Sequence, residues 1–199
     1  MVGSRLLGYP VLSLHVGGEI ARTVEPVIDP EGLKIIGYVL DGPLIRGEVG
    51  EILDISSVRE FAPTGMIVDS IDEFVNRLDV VRIDKVMGLN FRLVGLKVVT
   101  EDGENLGKIS DYTLDTKSFA IYQLIVRRPT LKSLIDPELT INRSQIVEVD
   151  DYKVVVKNEK EKVSMKVAAK DFKPNFVNPF AEPQFSQIRS RNPEPPDTE

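Results

Sequence analysis

The chain is written twice, and this internal repeat constrains its fold more than any other feature. Leu6-Leu7-Gly8-Tyr9-Pro10-Val11 returns as Leu93-Val94-Gly95-Leu96-Lys97-Val98. A glycine turn follows each, Gly17-Gly18 in the first copy and Asp102-Gly103 in the second. Ile20, Ala21 and Arg22 then align with Leu106, Gly107 and Lys108, and Ile28-Asp29 with Leu114-Asp115. Leu33, Ile35 and Leu40 align with Phe119, Ile121 and Val126. After a variable connection the copies rejoin at Leu53 with Ile141, Ser56 with Ser144 and Glu60 with Glu148, and close with Met66-Ile67-Val68 against Val154-Val155-Val156. An ordered series with turns in the same places reads as one duplicated unit.

The second copy shows what that unit is. Lys97-Val98-Val99-Thr100 is β-branched and runs into a hairpin turn in which Gly103 can take positive φ. Asn105 to Leu114 alternates as a long strand. Phe119 to Val126 is apolar on both faces, as in a strand buried on two sides, and Arg127-Arg128-Pro129 ends it. A helical turn near Ser144-Gln145-Ile146 precedes Val147-Glu148-Val149, and Asp150-Asp151 turns the chain into Tyr152 to Lys157. Short strands with tight turns predict a small barrel or sandwich, and a barrel has the further merit of hiding its edges. In the first copy Pro26 interrupts the long strand.

The fold expected is therefore all-β: two tandem small barrels at residues 5–69 and 93–158, joined by a helical connector at 70–92. In that connector Ser70-Ile71-Asp72-Glu73 reads as a capping box, with Ile71, Phe74, Val75 and Leu78 on the core face of a helix. A lysine-rich extension follows at 159–178. Pro174 to Glu199 holds six of the thirteen prolines, and a disordered tail is expected from Pro179. The repeats are expected to pack as a pseudo-symmetric pair.

Composition excludes several functions. A net charge of −6 opposes wrapping of phosphate backbones. The absence of cysteine removes disulfides, thiolate nucleophiles and cysteine metal sites together. The first residues form no signal-like apolar run and no stretch approaches a membrane span, which gives a cytoplasmic expectation.

Gly95-Leu96-Lys97-Val98, Asp102 to Ile109, Leu114-Asp115 and the closing Ser144 to Val149 with Val154-Val155-Val156 together resemble the PRC-barrel domain. This is the small β-barrel of the photosynthetic reaction centre H subunit and of the ribosome maturation factor RimM. The resemblance implies an adaptor or assembly module that binds a protein. A ribosomal protein or RNA is the second partner class it implies, and a membrane-complex surface the third.

No chemistry of turnover stands out. His15, on an expected strand, is a lone histidine and cannot build a zinc site. Asp29 with Asp115 and Glu60 with Glu148 occupy matched positions; they read as turn initiators and solvated edges, and a paired acid site would need the repeats to face each other. Gly17-Gly18 and Gly47-Glu48-Val49-Gly50 read as turns between strands. No catalytic, metal or cofactor residue is assigned. The partner-binding candidates are Arg127, Arg128, Lys132 and Arg143 as a basic patch, and Phe176, Phe180 and Phe185 as sticky points in the tail.

Overall fold

The computed structural model describes residues 1–45, 51–129 and 137–158. It divides the chain into two units, Met1–Glu159 and Lys160–Glu199; the lysine-rich extension, the tail and the Gly47 to Gly50 turn lie outside the described residues. The described part is built on strands, as the alternating sequence requires. The first seven are β1 (Pro10–Ser13), β2 (Gly18–Asp29), β3 (Lys34–Asp41), β4 (Ile52–Asp54), β5 (Glu60–Ala62), β6 (Gly65–Val68) and β7 (Phe74–Val75). Helix α1 (Val81–Gly88) follows. The remaining strands are β8 (Lys97–Thr100), β9 (Asn105–Leu114), β10 (Ile121–Arg127), β11 (Glu138–Asn142), β12 (Ile146–Val149) and β13 (Lys153–Val156). No helix among the described residues is long and apolar enough to cross a membrane.

The strands form two sheets with one connectivity. The first runs β5-β6-β1-β2-β3-β4-β7 and the second β12-β13-β8-β9-β10-β11. Each contains a single parallel pair, β1 with β6 and β8 with β13, whose registers place Val11 beside Met66 and Val98 beside Val154. The expected closed barrel does not form, because neither ladder of hydrogen bonds joins its outer strands. Instead a three-residue 3-10 turn carries the chain from one sheet edge to the other, at Ile55–Ser57 and at Arg143–Gln145. Each sheet thus has a turn where a closed barrel would have its last ladder.

The connector also departs from expectation. Ser70 does cap, accepting a hydrogen bond from the Asp72 amide, but the turn it starts ends at Glu73. Phe74-Val75 then adds to the sheet edge opposite Leu53 and Ile52, where a β-prone pair covers an open strand. Leu78 is 79% exposed rather than facing a core. The helix begins later, and its buried residues are Ile83 and Val86. Pro26 does not interrupt β2, since beyond Arg22 that strand has no β1 neighbour and a missing amide is tolerated there.

Neighbouring residues of β2, β3 and β4 sort to opposite faces. Ile28, Ile35 and Leu53 enter a core shared with the second sheet, whereas Val27, Ile36 and Ile52 pack with Ile83 and Val86 of α1. The first sheet is therefore covered on both faces. The second is not: in β10 Ile121, Leu124 and Val126 are buried, while Tyr122 and Arg127 are exposed and Gln123 and Ile125 half-buried. The two-sided burial expected for this strand is replaced by burial on one side, because among the described residues no helix packs on its outer face.

The sheets meet through paired corners. Leu33 (φ 38°) and Phe119 (φ 56°) both take the left-handed conformation that lets a hairpin turn back. The Ile35 amide donates to the Phe119 carbonyl (3.0 Å) and the Ile121 amide to the Leu33 carbonyl (2.9 Å). Each corner thus offers the other the same donor and acceptor.

Candidate anion-binding face

The open outer face of the second sheet carries one unusual row. Register pairs Lys153 with Lys97 across β13 and β8, Lys97 with Lys108 across β8 and β9, and Lys108 with Arg127 across β9 and β10. Directly paired residues point to the same face, and all four are exposed, alternating with buried Val154, Val98, Ile109 and Val126. With strands about 4.8 Å apart, the row spans about 14 Å. Glu138, opposite Arg127 on β11, closes it at one end. Among the described residues no ion pair neutralises Lys97, Lys108, Arg127 or Lys153; those seen join Arg22 to Glu19, Arg59 to Asp69, Arg77 to Asp84 and Arg92 to Glu25.

Like charges placed directly across strands destabilise a sheet. The first sheet shows that the fold does not demand them. There Pro10 pairs with Arg22 and Arg22 with Asp41, so the corresponding row alternates in charge or has none.

At the Arg127 end lies a cleft of ≈ 300 Å³ lined by Lys97, Asn105, Gly107, Lys108, Arg127, Arg128 and Pro129. Gly107 (φ 135°) makes it possible, because a Cβ there would overlap the Arg127 carbonyl. The first sheet solves the same close approach with the glycine on the other strand, as Gly42 lies against Ala21. Placing glycine at 107 frees the facing position for Arg128. The Gly107 amide is held by the Asn105 side-chain oxygen at 3.0 Å.

Residues 90–163 match the family model of the PRC-barrel domain. The chain carries a PRC-barrel domain. The match spans the whole second sheet, so the cationic row lies on the PRC domain itself. No curated protein matches the chain.

The structure separates the candidates drawn from sequence. Arg127 and Arg128 line the PRC-domain cleft. Arg143 does not join them: its guanidinium donates to the Leu33 carbonyl (3.1 Å), the Ile121 carbonyl (3.0 Å) and the Gly32 carbonyl (2.6 Å), and so clamps the meeting of the two sheets. Lys132, Phe176, Phe180 and Phe185 lie outside the described residues. Sequence reasoning missed Lys97, Lys108 and Lys153. The signal was there in Lys97-Val98-Val99-Thr100 and Lys153-Val154-Val155-Val156, two lysine-led segments that pair in parallel.

His15 sits in the turn after β1 rather than on a strand, and is exposed. Asp115 is occupied by its own turn, accepting from the Ser118 hydroxyl and from the Lys117 and Ser118 amides, which hold its carboxyl below the usual range. Asp29 accepts from the Glu31 amide in the matching turn. Among the described residues no group of three or more His, Cys, Asp or Glu converges. A further cleft of ≈ 400 Å³ opens between the sheets near Leu7, Pro26, Phe91 and Val94, with neither Asp29 nor Asp115 on its walls.

Proposed function

We propose that this chain is a non-catalytic binding scaffold of the cytoplasm, built by duplication of a PRC-like unit, in which one copy supports and the other docks. The observation that carries this reading is the contrast between the sheets: α1 covers the outer face of the first, while among the described residues nothing covers the outer face of the PRC sheet, which holds four like charges in register. Stability is given up at that face without any packing gain, which is the mark of a surface kept for a partner. The shared connectivity and the reciprocal hydrogen bonds at Leu33 and Phe119 support the duplication.

Full-length protein immobilised as bait should retain a protein that then forms a stoichiometric complex when the two are purified and mixed, read by analytical ultracentrifugation. Failure of every retained protein to form such a complex removes the scaffold reading. A second reading, service in ribosome assembly or RNA processing, draws on the same four cations, which would suit phosphates. It predicts co-sedimentation with ribosomal subunits that weakens steeply with salt.

A further inference from the structure

The chemistry of the open face narrows what it holds. Three of its four cations are lysines, compact charges on flexible stems that pair with carboxylate and phosphate alike, so the residues beside the row select between them. The next residues outward on β8 and β13 are Val99 and Val155, paired with each other and half-buried, so an aliphatic strip runs beside the charged row. Along β10 and β11 the next outward pair is Ile125 with Thr140. None of these offers a ring on which a base could stack.

We infer that the row Lys153, Lys97, Lys108 and Arg127 is a docking surface for an acidic, aliphatic-containing segment of a partner protein. The carboxylates of that segment cross the strands along the row, and its apolar side chains lie on Val99 and Val155. Charge complementarity carries the assignment: among the described residues no ion pair joins the row, its counterpart in the first sheet carries Arg22 beside Asp41 rather than four like charges, and its length of about 14 Å suits two to three turns of helix or four to five extended residues. The inference rests on the scaffold reading and adds the class of partner and the residues that meet it.

The test uses full-length protein and three fluorescent probes: a peptide of alternating Leu and Glu pairs, the same peptide with Gln for Glu, and an oligouridylate of equal charge. Vesicles containing phosphatidylserine form a fourth arm. Binding is read by anisotropy, or by flotation for vesicles, at low and high salt. The acidic peptide should bind and the Gln peptide should not. Lys97→Glu with Lys108→Glu should weaken the acidic peptide by about tenfold or more. Lys85→Glu with Lys117→Glu, an equal charge change at exposed lysines off the row, should leave it within about twofold. Lys97→Gln with Lys108→Gln provides a milder pair should the charge reversal disturb folding, monitored by circular dichroism. Peptide binding indifferent to the row, equal loss in both charge-reversed pairs, or binding of only the oligouridylate or the vesicles would overturn the inference. Should the stoichiometric protein partner still bind the row variants unchanged, the scaffold reading survives and this surface assignment does not.

Discussion

Single residues here often answer to a neighbour far along the chain. Tyr38 is fully buried, and among the described residues its hydroxyl finds no hydrogen-bond partner. Removing that hydroxyl relieves an unmet desolvation cost, so Tyr38→Phe should leave stability unchanged or raise it by up to about 1 kcal/mol. A fall in the urea midpoint would show that the hydroxyl is satisfied. Burial also pushes the Tyr38 and Tyr112 hydroxyls above their ordinary value of 10.0. Below that pH both folded and unfolded chains keep these protons; above it the unfolded chain loses them first, so stability should fall as pH rises beyond 10. Denaturation midpoints that stay flat to pH 11 would contradict this. Gly107→Ala meets both positive φ and the Arg127 carbonyl, and should cost about 1–3 kcal/mol in equilibrium unfolding.

At the scale of elements, the two sheets use the same strand order for different ends. Strand β3 is buried on both faces because α1 lies over it, whereas β10 in the matching place is buried on one. The 3-10 turn at Arg143–Gln145 does more than pass the chain between edges, since it delivers Arg143 to three backbone carbonyls of the facing corners. Arg143→Ala removes those donors and should destabilise the protein by about 1–2 kcal/mol while leaving acidic-peptide binding intact. A loss of peptide binding without loss of stability would return Arg143 to the partner surface.

Within the first unit the two sheets share one interior, beside a smaller cluster under α1. Leu6, Ile35 and Leu53 belong to the same buried cluster as Ile109, Phe119 and Val154, and Phe61 meets the Phe119 ring edge-on at 5.9 Å between centroids. The Met1 amino group donates to the Leu114 carbonyl and the Leu114 amide to the Met1 carbonyl, a further contact between the N-terminus and β9. Residues 1–158 should therefore unfold in one cooperative transition by calorimetry. Two separate transitions would mean that each sheet holds its own core. A cooperative platform also suits docking, because its face is held rigid before the partner arrives.

The sequence by itself determined the central strands, their turns and the all-β class of fold. Gly103 takes positive φ (84°), Asp115 holds a turn, and Asn105–Leu114 is one strand, because alternation, glycine and aspartate act over a few residues. The PRC resemblance was readable in the same segments. Only the tertiary structure decided which cations stand together. Lys97, Lys108, Arg127 and Lys153 come from four separate strands, and their alignment is set by pairing register, which the buried face fixes through Val98, Ile109, Val126 and Val154. The same cause placed Phe74-Val75 at a sheet edge and turned Arg143 inward to the facing corners. Local propensity cannot report such outcomes, because they depend on which distant surface needs covering.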